Sequence, residues 1–319
     1  MDGVLIIDKP VEWTSHDVVA RVRRVLGVRR VGHTGTLDPF ATGVLVILVG
    51  RATRLAQFLA GAEKEYEALV RFGYATDTGD LTGARREVAA GPQARPCPEW
   101  SAAEIEAALA SLRGEIEQVP PMYSAKKIQG KKLYELARRG IEVERAAVRV
   151  SVHELEALER GGALLHENDD GTCDLAARVV CSAGTYIRVL AEEIGARLKT
   201  GAHLAALRRT RAGAFRIEDA VTLESLSEMF AAGEVDKLLL TPDAALPRMP
   251  FVHLTHEEAG RVRHGAAVRV GNNDGQPAWS DGELIKLRDA AGNLLAIGVY
   301  NAARESLQPR IMLDATVKI

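Results

Sequence analysis

The sequence predicts an α+β fold with a small β-barrel at its C-terminal end. Three observations carry that reading. Tyr66, Ala68, Val70 and Phe72 alternate with polar residues, the period-two pattern of a half-buried antiparallel strand. Continuous apolar runs at 4–7 and 44–49 alternate along the chain with segments of helical spacing, and no internal repeat is present. After three prolines, Pro242, Pro247 and Pro250, the character changes to short β runs at 267–270, 284–287 and 294–300 separated by Gly, Asn and Asp turns, the pattern of a small twisted barrel. The 319 residues suit two domains at roughly 150 residues each. The boundary is expected near residue 246, giving domains 1–245 and 246–319.

In chain order, 4–7 reads as a buried strand. Ser15, read as an N-cap, precedes Asp17, Val18, Val19, Val22 and Leu26 at helical spacing, and Gly27 ends that helix. The apolar run 44–49 is a second strand, followed by a helix near 52–59. Ser101 and Glu104 form a capping-box pattern opening a helix that ends near Gly114. Runs at 148–158 and 175–181 are strand-like, and their Gly/Asn/Asp-rich connector at 160–171 reads as a long exposed hairpin loop. A helix over about 186–198, strands through Leu207 and Phe215, and a helix over about 223–232 complete the first domain.

Composition is that of an ordinary globular chain, 47% hydrophobic and 26% charged, which excludes disorder, collagen and coiled coil. Cys97, Cys173 and Cys181 are too few and too scattered for a disulfide framework or a paired-cysteine zinc site. The start has no signal-peptide pattern and no apolar stretch approaches the roughly 20 residues that span a bilayer, so a cytoplasmic protein away from membranes is expected. The net charge of −2 hides a segregation. Residues 122–145 hold seven bases against three acids, and 186–216 seven against two. Such stripes are the footprint of a polyanion partner or of solvated helix faces balanced elsewhere, and charge alone leaves both readings open.

The segment 30–45, RVGHTGTLDPFATGVL, is the most unusual in the chain. Gly32, Gly35 and Gly43 allow close backbone approach, and Pro39 pushes Asp38 into an extended or turn conformation. No Gly-Lys-Ser/Thr follows, so a Walker-type phosphate loop is excluded. Alone, the loop reads first as a tight turn with Asp38 capping something. Further blocks follow: GAEKEYEALVRFGYATDTGDLTG at 61–83, VPPMYSAKKIQGKKLYELARRGIEVER at 119–145, CSAGTYIR at 181–188 and GAHLAALRR at 201–209.

These blocks, in this order over roughly residues 3–220, resemble the bacterial tRNA pseudouridine synthase family often called TruB, whose GHTGTLDPxATGVL loop is intact. The resemblance implies a pseudouridine synthase fold, a mixed, mostly antiparallel sheet flanked by helices. It also implies a thumb insertion at about 120–146 and a PUA-like RNA-binding C-terminal domain, for which GELIKLRDAAGNLLAIGVY is the weaker match. It implies isomerisation of uridine to pseudouridine at position 55 in the T-arm loop of tRNA. That chemistry consumes neither water nor redox equivalents, so no cofactor and no metal are expected.

By the same resemblance Asp38 is the catalytic aspartate and Arg188 its neighbour in a buried bidentate pair that keeps it ionised. Tyr66 would stack on the extruded uracil, Tyr186 would lie near C5, and Leu207 would line the pocket. His33 would fill the space left by the flipped base. Lys64, Arg208 and Arg209 are expected phosphate contacts and Asp80 an RNA-contacting acid. In the thumb, Lys126, Lys131 and Lys132 would neutralise phosphates around a break at Gly130. The basic thumb favours a stand-alone enzyme over relatives that borrow a guide RNA. A tRNA-binding folding factor, for which Asp38 would be dispensable, is the other reading. The expected partner is the tRNA T-arm stem-loop, with no obligate protein partner and a monomeric chain. His253 and His256, followed by Glu257 and Glu258, lack the His-Glu-x-x-His pattern and read as structural.

Overall fold

The computed structural model describes residues 1–86, 99–124, 126–128, 130–269 and 279–314. The Pro-rich stretch 91–98, with Cys97, lies outside the described residues. The central sheet runs Gly3–Lys9, Thr42–Val49, Ala202–Ala212, Lys64–Phe72, Cys173–Cys181, Val148–Leu158 and Gly114–Gln118. Every neighbouring pair on that path is antiparallel except Thr42–Val49 with Ala202–Ala212, which pairs in parallel at Thr42/Arg208 and Gly43/Arg209. The sheet is thus mixed and mostly antiparallel. Of the three motif glycines, Gly43 is the one that must be glycine: its φ is 101° and a Cβ there would stand 2.2 Å from the Arg209 carbonyl oxygen.

Alternation along Lys64–Phe72 does what its period dictates. Tyr66, Ala68, Val70 and Phe72 turn into a core shared with Ile105 and Leu109 of helix Ala102–Ala110 and Leu190 and Ile194 of helix Ile187–Arg197. At the other end of the sheet, Val18, Val19, Val22 and Leu26 of helix Ser15–Leu26 pack on Leu5, Ile7, Leu45 and Ile47. Each such side chain contributes about 1.5–3 kcal/mol by leaving water.

Some local expectations are corrected. Thr14, not Ser15, caps the first helix, because Asp17 closes a capping box with Thr14 and frees Ser15 to turn inward. The 160–171 stretch is not all loop: Leu165–Glu167 adds a short strand beside Cys173–Cys181. Cys173 and Cys181 stand at the two ends of that one strand. Cys181 is a buried free thiol and Cys173 is disulfide-bonded.

The C-terminal residues form a separate five-stranded sheet in the order Phe251–His253, Leu284–Arg288, Leu294–Asn301, Ser306–Met312 and Val268–Arg269. It is a curled half-barrel consistent with a PUA-like unit. Ser306–Met312 escapes a pattern reading because Pro309 interrupts it, at a bulge opposite Gly298. The two sheets share a core: Ala245, Leu246, Ile297 and Leu313 pack with Val4, Val44, Val46 and Leu48. A charged joint accompanies it. Arg288 donates twice to Asp243, at 2.9 and 2.7 Å, and buried Lys286 reaches the Leu246 carbonyl at 3.0 Å and Asp243 at 3.4 Å. Among the described residues no helix is long and apolar enough to cross a membrane.

Candidate active site

Asp38 sits on the loop joining Val31–His33 to Thr42–Val49, in a turn closed by the Ala41 N–H on the Asp38 carbonyl at 3.1 Å. The loop is held from behind by two residues remote in sequence. The Ser15 hydroxyl accepts from the Leu37 N–H at 2.9 Å and donates to the Leu37 carbonyl at 3.2 Å. Lys9 is fully buried, and its ammonium donates to the carbonyls of Pro10 (2.8 Å), Trp13 (2.6 Å) and Pro39 (3.2 Å). Pro39 is thereby fixed next to Asp38. Burial brings the Lys9 pKa down to about 8, against the pull of Asp38 in the other direction.

Arg188, from the first turn of helix Ile187–Arg197, is 5% exposed and meets Asp38. The expected bidentate pair is corrected. Nε alone donates to Asp38, at 2.9 Å, while Nη1 donates to the Thr78 carbonyl at 2.7 Å and Nη2 to the Tyr123 carbonyl at 2.6 Å. The guanidinium fork is divided because three chain segments converge on it. Burial pushes the Asp38 carboxyl above the ordinary range, outweighing Arg188, and Asp80 adds to the rise. Arg188 pulls this carboxyl down, but burial outweighs it, so the net direction is upward and Asp38 is a stronger base than a free aspartate.

A cavity of about 250 Å³ opens over this pair, lined by Asp38, Lys64, Tyr66, Ser124, Lys126, Tyr186, Arg188, Leu207 and Arg209 among others. Tyr66 is buried on its strand, with Arg209 in hydrogen-bonding reach of its hydroxyl, and burial raises its pKa. Tyr186 is the N-cap residue of the Arg188 helix. Arg209, 2% exposed, donates to the carbonyls of Val44 and Gly35. The structure thus brings Asp38, Tyr66, Tyr186, Arg188, Leu207, Lys64 and Lys126 to one cleft.

Other expected contacts are placed differently. Arg208, one position from Arg209, points away from the cleft and pairs with Asp8 at 2.7 Å, as a one-residue step along a strand requires. Asp80 is not an open acid: it is 5% exposed, accepts from Thr78 and Thr82, and stands 3.8 Å behind Arg188. Lys64 is a buried wall rather than a displayed cation, its ammonium held by the Ala60 and Ala62 carbonyls and its pKa brought down to about 8 by burial. His33 is absent from the cavity lining and ends the strand that leads into the Asp38 loop; its Nδ1 accepts from the Gly35 N–H at 3.3 Å and its ring meets His16 edge-on at 5.5 Å. Burial and the nearby His16 lower its pKa, which favours the neutral ring. Lys131 is exposed on the small hairpin Lys127–Ile128/Lys131–Lys132. The side chains of Lys127 and Lys132 lie outside the described residues.

Sequence reasoning missed Ser15 as a loop anchor, and it missed Lys9, Gln118, the Tyr123 carbonyl and Ser124. The Ser124 hydroxyl is buried beside the cleft with no hydrogen-bond partner among the described residues. Their signal is geometric and only the fold supplies it. Among the described residues no cluster of three His, Cys, Asp or Glu could hold a metal. Glu258 is engaged in the Thr255 capping box and His253 faces the Asp289 carbonyl.

Comparison with known proteins identifies the family. Residues 23–187 match the model of the TruB family pseudouridylate synthase N-terminal domain, and 188–247 that of the tRNA pseudouridylate synthase B C-terminal domain. The chain is 50% identical over 270 residues to tRNA pseudouridine synthase B of Geobacillus kaustophilus, covering 85% of this chain and 92% of that one. It is 46% identical to the Thermobifida fusca protein of the same name, covering 90% and 94%. Among solved structures, an archaeal box H/ACA sRNP Nop10–Cbf5 complex superposes with a TM-score of 0.66 at 28% identity, over 97% of this chain and 85% of that one. A Cbf5–Nop10–Gar1 complex gives 0.67 at 29% identity, over 99% and 84%. By its loop, its cleft and these matches, the chain belongs to the TruB family of pseudouridylate synthases.

Proposed function

We propose that this chain is a stand-alone tRNA pseudouridine synthase that isomerises uridine to pseudouridine at position 55 in the T-arm loop, by flipping the base into the Asp38 cleft. The observation that carries the reading is one carboxylate at the floor of a cleft, bonded to buried Arg188 and walled by two tyrosines and Leu207. The reaction breaks the bond from C1′ to N1, turns the uracil over, and joins C1′ to C5. The C5 proton leaves and N1 ends protonated, so atoms and electrons balance without water, oxidant or metal.

Among the described residues Asp38 is the one acid lining the cleft, and it serves the sugar either at C1′ as nucleophile or at C2′ as base. Tyr66 offers a ring for stacking, worth roughly 1–3 kcal/mol per base, which offsets part of the cost of extrusion. Tyr186, which also lines the cleft, is the group for the C5 proton, directly or through water. His33 braces the remodelled loop, and Lys126, Lys131 and Lys132 neutralise phosphates from the 120–146 thumb. No protein partner is required for any of these steps.

The test is to incubate unmodified tRNA transcript with purified protein in EDTA and map pseudouridine by carbodiimide adducts that stop reverse transcription. A stop at position 55, absent from a transcript carrying cytidine there, is the expected result. Tight binding with no stop anywhere would overturn the enzyme reading in favour of a folding factor.

A further inference from the structure

Gln118 closes strand Gly114–Gln118 and is 2% exposed. Its side-chain amide grips one residue from both sides. The carbonyl oxygen accepts from the Tyr186 N–H at 2.9 Å, and the Nε2 amide donates to the Tyr186 carbonyl at 3.3 Å. Tyr186 is the N-cap of the Arg188 helix, with extended backbone angles and no side-chain cap. Two opposed hydrogen bonds from one planar amide fix both the position and the rotation of that backbone unit. Only the side-chain torsions of Tyr186 then remain free, within the cleft it lines.

The choice of residue is informative. Asparagine is a methylene too short, leucine would leave the Tyr186 N–H buried without a partner, and glutamate would lack the donor. Gln118 also stands at the root of the 120–146 segment. The Pro120 carbonyl accepts from Arg145 at 3.2 Å, which ties the neck of that segment, and the Tyr123 carbonyl takes the Arg188 Nη2. The root of the insertion is therefore bonded to the N-cap residue Tyr186 and to Arg188 in the first turn of the helix.

We infer that Gln118 is a positioning residue for pseudouridine formation: it holds Tyr186 where the phenol addresses C5. The inference rests on the proposed reaction and on the Tyr186 role given above. It acts on the rate of the bound complex, since nothing in it touches the phosphates that dominate RNA affinity.

The experiment is a double-mutant cycle read by single-turnover tritium release from tRNA labelled at uracil C5, with RNA Kd measured alongside. Gln118→Met keeps the volume and removes both bonds; Gln118→Glu keeps the acceptor alone. The expected turnover order is wild type, then Gln118→Glu, then Gln118→Met. The last should lose at least about tenfold in rate, with Kd within about threefold of wild type. In a Tyr186→Phe background, the Gln118→Met change should cost under about twofold, because the group being positioned is gone. Equal losses in both backgrounds, a loss in Kd matching the loss in rate, or no loss at all would each overturn the inference. Should Gln118→Met not fold, Gln118→Glu runs the same cycle. An inactive wild type would overturn the proposed function itself, a result distinct from any of these.

Discussion

Two buried clusters of charge in this molecule are built on opposite rules. At the joint between the two sheets, one carboxylate, Asp243, takes both Lys286 and Arg288, so charge is answered by charge. In the cleft, Lys9, Lys64 and Arg209 are satisfied by backbone carbonyls instead, and Asp38 receives a single bond from an arginine whose other donors serve neighbouring loops. The joint sets two cations on one carboxylate, with Lys286 also on the Leu246 carbonyl, whereas among the described residues only Arg188 pairs with Asp38 in the cleft. The difference separates a cement from a reactive site: the cleft keeps a basic carboxylate among cations that are held in place without neutralising it.

The comparison can be broken most directly at Asp38. Asp38→Asn should lower single-turnover pseudouridine formation by at least roughly 10³-fold, about 4 kcal/mol of barrier, with RNA Kd unchanged within a few-fold. Next in size is the pH dependence. Asp38 acts ionised and its pKa is raised, chiefly by burial, so kcat/KM should fall as pH drops through a value above the ordinary carboxylate pKa of about 4. A rate–pH profile flat down to that ordinary value would show that the cleft does not hold Asp38 as described.

The joint should respond in stability alone. Asp243→Ala leaves Lys286 buried without its carboxylate and should cost about 3 kcal/mol in urea denaturation, with turnover per folded molecule unchanged. The smallest effect concerns Lys9. Its folded pKa lies below its unfolded value, so the unfolded chain binds more protons between about pH 8 and 10.5, and its contribution to stability rises with pH across that window. The stability difference between wild type and Lys9→Met should drift in favour of wild type over the same range. A constant difference would mean that Lys9 is not desolvated in the fold.

What was legible in the sequence follows physical lines. The Lys64–Phe72 strand and the first helix announce themselves because alternation and helical spacing are local, and Asp38 because Pro39 and its glycines mark the loop. The grouping of Asp38, Tyr66, Tyr186 and Arg188 is an expectation from motif resemblance, and the fold gathers the four side chains into one cleft. Local pattern does not reveal which way a neighbour faces. Arg208 and Arg209 are chemically alike in sequence, yet one pairs outward with Asp8 and the other lines the cleft. Nor does it reveal bonds to carbonyls. Lys9, Ser15 and Gln118 act through backbone groups brought close only by the sheet order, and Asp80 is drawn inward by two threonines and Arg188.

The most direct test of the account is tritium release from tRNA labelled at uracil C5, comparing wild type with Asp38→Asn in EDTA. The account predicts stoichiometric release at one site by the wild type and none by the variant, although both bind the RNA. Release by Asp38→Asn at a rate near wild type would contradict the assignment of the cleft carboxylate as the reacting group.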